Sequence, residues 1–477
     1  MFDIPARESI DIVWVNNLNQ YSVPNTAGSC MDPTADQTYC SLMSKINKTQ
    51  TYSDPTNLTM SSPLDMMRIG TTAWPLTTHL HGAEIRPTFD GNPLSWVDNN
   101  PNGSVGVASF SLNEDCYYNS FDSIGEIDDK KVNFNPPKIR LINLGGGNLT
   151  NYKTNRYPNK QNPGILWYHD HAMHLTSYNV QHGLAGFYIL RDEAVEEYLG
   201  IDRSNEKLVM FSAENLTSSF GLSNFTKGEV YRFKFLNNNF NDRTGDVLRI
   251  SFSYNNCTDD ISKREVFSII GADSSLFNQS LDNQLSFVLA QAERIELLIN
   301  FTQGSANEFA ICGDTQLDSI TNPATVNAKA HHGNKAAKPI VGSLHIRGIK
   351  LIDRDEKVPS KNTIKSINNL LLNVSYTDLS TVPDSGIAVR RMRPLVWMGQ
   401  SIFTINGRTD FHKGRSENPM VGTIEDWFMI NTIFFAHPIH VHLINFEVVK
   451  ELTLRTITTA DQSQCSLYEL DYMIGAL

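Results

Sequence analysis

Short apolar runs punctuated by turn residues constrain this chain more than any other feature of it. Ile10–Val15, Ile165–Tyr168, Gly186–Leu190, Tyr231–Leu236, Val247–Tyr254 and Arg294–Phe301 are rich in β-branched and aromatic side chains, often alternate with polar ones, and are bounded by Gly, Asn, Asp or Pro. Runs of this length and composition form strands, and many of them separated by turns form β-sandwiches. Long amphipathic helices are hard to find, so an all-β fold is expected. At about 100 to 200 residues per domain, 477 residues imply two to four domains. Breaks fall at the acidic stretch Asp192–Glu197, read as a helical connector, and within the polar stretch Asp353–Lys365. These give three β-domains, residues 1–193, 194–352 and 353–477, with Ser22–Ser62 as an elaborated loop in the first.

The composition, 40% hydrophobic and 19% charged, is that of an ordinary folded protein. A net charge of -11 and the lack of a Lys/Arg-rich patch argue against a nucleic-acid partner, whose phosphates need a basic surface. No apolar run approaches the roughly 18 residues that a membrane-spanning helix needs. Of the six cysteines, Cys30 with Cys40 and Cys257 with Cys312 could each close a disulfide loop in an oxidising compartment, with buried free thiols as the equal alternative. Ten Asn-x-Ser/Thr sequons, at Asn47, Asn57, Asn102, Asn148, Asn215, Asn224, Asn256, Asn278, Asn300 and Asn373, exceed the roughly six expected by chance and lean toward a secreted, extracellular glycoprotein. Against this, Met1–Arg7 has no apolar signal segment, which leaves a cytosolic location open unless the signal has been lost.

The histidines carry the chemistry. Random placement of 13 His gives roughly a third of one His-x-His pair, yet the chain has three: His79 with His81, His169 with His171, and His440 with His442, the last preceded by His437. Residues i and i+2 of a strand point to one face, so each pair offers two imidazoles side by side. Imidazole suits copper, zinc, iron and nickel, and the spacing does not decide whether a pair grips one ion or two. The competing reading is a hydrogen-bonded structural histidine, and it holds for His174, His182, His331, His332, His345 and His412, which stand outside the pairs. For the pairs metal binding is the better account, because burying six imidazoles without metal or partners is costly.

At this point the residues resemble a family. Thr78-His79-Leu80-His81-Gly82 followed by Asp90-Gly91-Asn92-Pro93-Leu94-Ser95-Trp96 resembles the first copper motif of the multicopper oxidases. Leu166–His174 with Gly183–Tyr188 resembles the second, and His437–Phe446 the third. The flavour is that of the spore-coat laccase, bilirubin oxidase and phenoxazinone synthase branch, whose middle domain Phe267–Asp273 and Leu289–Glu296 also resemble. The resemblance implies three cupredoxin-like Greek-key β-sandwich domains, a type 1 copper in the third, and a trinuclear cluster between the first and third. It assigns His79 and His440 to the type 2 copper, His81, His169, His171 and His442 to the type 3 pair, and His437 to the type 1 copper. Asp90 matches a carboxylate near the cluster and is a candidate proton relay; as an Asp-Gly turn residue it has an equally ordinary explanation. Asp170, between two ligands, is expected to face away from the metal.

The resemblance implies a copper-dependent oxidase that couples one-electron oxidation of a small reducing substrate (phenol, aromatic amine, tetrapyrrole or metal ion) to reduction of dioxygen to water, working as a monomer. One motif is missing. The family carries a His-Cys-His element with a further His and usually an axial Met after the third motif, whereas this chain reaches Leu477 without it and Cys465 has no histidine neighbours. The third domain is therefore read as incomplete, the chain as a fragment short at both ends, and turnover by this chain alone is not expected. The alternatives are a non-catalytic copper-binding cupredoxin protein and a cupin-type oxygenase with Glu84 as carboxylate ligand, which leaves two of the three pairs idle.

Overall fold

The computed structural model describes residues 1–16, 76–93, 97, 152–172, 175–181, 183–212, 218–220, 224–238, 247–258, 260–301, 306–315, 343–353, 382–397, 403–406, 417–431 and 438–449. Among them the chain is all-β, as expected, and forms two compact units. The first comprises residues 1–161, 166–191 and 442–444; the second comprises 162–165, 192–441 and 445–477.

The strands running through the first unit are β1 (Phe2–Pro5), β2 (Ile10–Val15), β3 (Thr78–His81), β4 (Tyr152–Tyr157), β5 (Gly164–Asp170) and β6 (Ala185–Arg191), with one short helix, α1 (Thr176–Gln181), between the last two. A four-stranded sheet has the order β1-β6-β5-β3, and β2 pairs antiparallel with β4. Leu80, Ile85, Tyr157, Leu166, Tyr188 and Leu190 form the core, with Phe2, Trp14 and Tyr168 packed against it. The run at Ile10–Val15 is an amphipathic strand in the simplest sense: Ile12 and Trp14 face this core while Asp11 pairs with Arg156 on β4.

The second unit starts at the predicted connector, which is helix α2 (Glu193–Leu199). The Asp192 side chain accepts from the backbone N–H groups of Ala194 and Val195, and Gly200 ends the helix in the left-handed region that glycine adopts without strain. The strands that follow are β7 (Glu206–Ser212), β8 (Ser218–Phe220), β9 (Phe225–Thr226), β10 (Val230–Asn238), β11 (Leu248–Ser253), β12 (Phe267–Ala272), β13 (Ser275–Gln284), β14 (Phe287–Leu289), β15 (Arg294–Asn300), β16 (Glu308–Thr315) and β17 (Ser343–Ile352). They form a six-stranded sheet, β13-β12-β15-β10-β7-β8, and a five-stranded sheet, β14-β11-β16-β17-β9. Phenylalanines from both sheets, among them Phe211, Phe233, Phe235, Phe252, Phe267 and Phe309, fill the space between them. Each contributes roughly 1.5–3 kcal/mol of burial. Cys257 and Cys312 are joined in a disulfide that ties the segment after β11 to β16. Cys30 and Cys40 lie outside the described residues.

Strand β10 is buried along its whole length. Its odd residues Tyr231, Phe233 and Phe235 enter the aromatic core, and its even residues Arg232 and Lys234 enter a cluster of buried charges instead. Arg232 pairs with Glu296 of β15, with Glu206 of β7 at 3.5 Å and with Glu196 of α2 at 2.8 Å. Lys234 lies 2.9 Å from Glu296 and 3.4 Å from Glu206. Burial pushes the Glu296 carboxyl up, but Arg232 and Lys234 outweigh it and hold its pKa below the ordinary value. A further three-stranded sheet, β19-β18-β20, is built from β18 (Ile387–Trp397), β19 (Phe403–Ile405) and β20 (Ile424–Asn431). The polar stretch Asp353–Lys365 lies outside the described residues beyond Asp353. Among the described residues no helix is long and apolar enough to cross a membrane.

Candidate metal centre

The first two histidine pairs meet because β3 and β5 pair antiparallel with His79 opposite His169 and His81 opposite Trp167. Directly opposed residues share a face, and so do residues two apart, so His79, His81, Trp167 and His169 line one side of the sheet. His171 lies one residue past the end of β5, so strand alternation does not place it. The turn does, through the bond from its backbone N–H to Thr77 O at 2.7 Å. Ring centroids are 5.6 Å apart for His79 and His81, 5.2 Å for His79 and His169, and 5.8 Å for His169 and His171.

A fifth imidazole joins them. His442 stacks on His79 at 4.0 Å and lies 4.9 Å from His171. The third pair therefore differs from the expectation of two imidazoles side by side on a strand. Residues 438–449 form no strand, His442 belongs to the first unit, and His440 is exposed on a segment of the second. His437 lies outside the described residues, as do His174, His182, His331, His332 and His412. His345, on β17, is held by Asp314 at 2.8 Å, an ordinary hydrogen-bonded histidine.

Four of the rings are oriented by oxygen atoms that can only accept. His79 Nδ1 donates to the backbone oxygen of Asp90 at 2.7 Å, with Asp90 Oδ1 3.1 Å away. His169 Nδ1 donates to Asp170 O at 2.8 Å and His171 Nδ1 to Gly91 O at 3.0 Å. His442 Nδ1 donates to Asp90 Oδ2 at 2.6 Å. A carbonyl or an ionised carboxylate fixes the proton on Nδ1, so Nε2 keeps its lone pair. Burial, followed by the repulsion of neighbouring rings, pushes His171 down to about 3 and His169 well below its ordinary value. Burial likewise lowers His79. These rings are neutral at physiological pH, the form that binds metal. A set of neutral imidazoles with oriented Nε2 atoms and no thiolate fits copper, among other borderline ions.

Asp90 is both the turn residue and the linchpin. It caps the short 3-10 turn Pro87–Phe89, and Gly91 follows with φ 78°. A Cβ on Gly91 would lie 2.5 Å from Thr78 O, so this turn packs against β3 only because Gly91 has none. Burial pushes the Asp90 carboxyl up, but its hydrogen bonds from His442 and His79 outweigh that and hold it below the usual carboxylate range. Asp170 faces away, as alternation requires. It accepts from Thr77 N at 2.9 Å, Ala172 N at 3.2 Å and Asn179 Nδ2 at 2.7 Å, and burial raises its pKa to about 6. Sequence reasoning gave Trp167 no part in the site. Its ring lies 4.3 Å from His169 and 5.0 Å from His81, and its position two residues before His169 was the available signal. Glu84 joins no group of three metal-ligating side chains among the described residues, so the cupin-type reading loses its carboxylate.

No family model matches the chain. Curated proteins do: it is 29% identical over 329 residues to a laccase of Bacillus subtilis, matching 61% of this chain and 57% of that one. It is 27% identical over 327 residues to a bilirubin oxidase of Albifimbria verrucaria, with 62% and 51% covered. Over 435 residues it is 23% identical to multicopper oxidase LPR1 of Arabidopsis thaliana, with 83% and 61% covered. The relatives it matches are laccases, bilirubin oxidase and other multicopper oxidases. These likenesses bear out the resemblance, read from the motifs, to the multicopper oxidases, whose cofactor is copper. The matched regions span about half to three fifths of the length of these curated relatives. Among solved structures, a variant of the McoA multicopper oxidase from Aquifex aeolicus aligns with a TM-score of 0.49 and 16% identity, covering 80% of this chain and 73% of that one.

Proposed function

We propose that this chain is part of a multicopper oxidase that binds copper through His79, His81, His169, His171, His440 and His442, with His437 toward a type 1 site, and takes part in oxidation of a small reducing substrate at the expense of dioxygen. The observation that carries the reading is the set of four imidazoles whose Nδ1 atoms are tied to oxygen acceptors. Such second contacts raise ligand basicity and fix ring orientation. In this assignment His79 and His440 serve the type 2 copper, and His81, His169, His171 and His442 the type 3 pair. When bound, copper supplies the one-electron redox chemistry that joins four single oxidations to one dioxygen.

The chain's own residues prepare the site. The sheet face formed by β3 and β5 presents imidazole donors with Trp167 beside them, and the buried Leu80 and Leu166 on its other face exclude water. Asp90 holds His442 and His79, and as an ionised carboxylate within reach of the cluster it is suited to accept a proton and hand it on. A phenol, aromatic amine, tetrapyrrole or low-valent metal ion is the class of reductant proposed. A monomer is the working unit proposed. The disulfide Cys257–Cys312 and exposed sequons support a secreted, extracellular protein. The three-domain division at 193 and 352 belongs to the same proposal.

The test is copper stoichiometry by mass spectrometry together with oxygen uptake in the presence of a diphenol. Copper retained through dialysis and lost in the double variant His79→Ala, His169→Ala supports the site. Equal copper in both proteins overturns it. Because turnover is not expected without a His-Cys-His element, oxygen uptake is read on the chain extended with one: copper retained there without uptake favours the second reading, a copper-binding cupredoxin protein without turnover.

A further inference from the structure

Four of the ten sequons fall on described residues, all in the second unit, and the fold sorts them into two kinds. Asn224, Asn256 and Asn278 are exposed, whereas Asn300 is half-buried. Asn224 precedes β9, the outermost strand of the five-stranded sheet. Asn256 occupies the left-handed turn after β11 with φ 48°, which lifts its side chain off the sandwich next to Cys257. Asn278 sits on β13, the outermost strand of the six-stranded sheet. There the register runs from Gly271 opposite Leu276 to Ile269 opposite Leu281. Residues 277–280 thus stand against Ile270 alone, with Asn278 and Gln279 exposed, Phe277 packed toward the aromatic core and Ser280 buried with its hydroxyl donating to Asp282 Oδ1 at 2.7 Å, and no strand lies beyond them in the sheet. Asn300 is different. It ends β15 in the sheet interior between β12 and β10, its Oδ1 is sealed from solvent, and the next residue, Phe301, is fully buried in the aromatic core.

We propose that Asn224, Asn256 and Asn278 carry N-linked glycans and that Asn300 does not. The transfer uses a lipid-diphosphate-linked oligosaccharide as donor. A bond forms between Asn Nδ2 and C1 of the first sugar, the C1–O bond to the diphosphate breaks, and one amide proton is lost as the lipid diphosphate leaves. A glycosylated carboxamide needs both of its ends in water, since the sugar occupies one and the carbonyl flanks it. The three exposed asparagines meet that condition, and Asn300 meets it only if the end of β15 opens. At Asn256 the order of events matters as well: the middle residue of its sequon is Cys257, so transfer precedes closure of the disulfide with Cys312.

The inference rests on the extracellular reading, and the test separates the two. The full chain is sent through the secretory pathway of a eukaryotic host behind an added leader, then deglycosylated enzymatically in heavy-oxygen water, which marks each occupied Asn as labelled Asp in the peptide masses. Label at Asn224, Asn256 and Asn278 with none at Asn300 is the expected result. An unlabelled Asn278, or Asn300 labelled as fully as the other three, overturns the assignment. In the wild-type background Ser280→Thr keeps the Asn278 label and Ser280→Ala loses it, whereas an unchanged label in Ser280→Ala also overturns it. Protein from its natural source that lacks all three glycans, while the leader-directed chain carries them, supports the site assignment and sinks the extracellular reading.

Discussion

The two units bury polar groups in opposite ways. In the second, Arg232 and Lys234 sit beneath α2 among Glu196, Glu206 and Glu296, so each buried charge meets its opposite within the same fold. In the first, five imidazoles crowd together with neighbouring centroids 4.0 to 5.8 Å apart, and among the described residues one carboxylate, Asp90, holds two of them. A self-compensated cluster asks nothing of the solvent or of a ligand. A crowd of imidazoles, four of them braced at Nδ1, is arranged for something that accepts a lone pair from Nε2. Polarity and burial are alike in both, and what distinguishes a structural cluster from a functional one is whether the partners are internal.

That contrast can be broken experimentally. Glu296→Ala leaves Arg232 and Lys234 short of their central partner and is expected to cost about 3–5 kcal/mol in urea unfolding, whereas replacing the whole cluster, Arg232, Lys234, Glu196, Glu206 and Glu296, by apolar residues of similar volume is expected to cost less. A loss under about 1 kcal/mol for the single variant would show that the cluster is not self-compensated. In the first unit, stability should depend on metal: free copper at 100 times its Kd is expected to add about 2.7 kcal/mol, read as a rise in Tm, and the rise should vanish in the variant lacking His79 and His169. Asp90→Ala is expected to weaken copper binding about 10–100-fold by isothermal titration. Asp90→Asn keeps an acceptor for His442 and should lose less; equal losses would assign Asp90 a role in charge alone.

Acid sharpens the comparison with a smaller effect. The Glu296 pKa lies below its ordinary value of 4.5, so the folded state binds fewer protons than the unfolded chain in that range. Its contribution is fully present above about the unfolded value and is lost as pH falls through the folded one. The acid limb of the stability curve should therefore be shallower in Glu296→Gln than in the wild type; an unchanged limb would remove Glu296 from the account.

The strand runs were legible because alternation is local. Ile10–Val15 and Arg294–Asn300 are strands β2 and β15, and the acidic connector at Asp192 is a capped helix. His79 and His81 were legible for the same reason. What the sequence hid lies far apart along it: Arg232 meets Glu296 across 64 positions, and His442 meets Asp90 across 352. The alternation of Tyr231–Leu236 marks one apolar face, but nothing local says that its charged face is buried too. The third histidine pair misled for a related reason: its spacing is that of a strand, yet no strand is formed at 438–449. The family motifs supplied what the spacing alone did not.

The hydrogen bond between Asp90 and His442 also sets a clock on synthesis. A ribosome adding roughly 5–20 residues per second needs roughly 20–70 s to travel between the two codons. From residue 171 to residue 442, most of that interval, the nascent chain carries the first four of these imidazoles without the fifth. Loading with metal is therefore expected as a late event in the life of each new molecule, after the last of these rings has emerged.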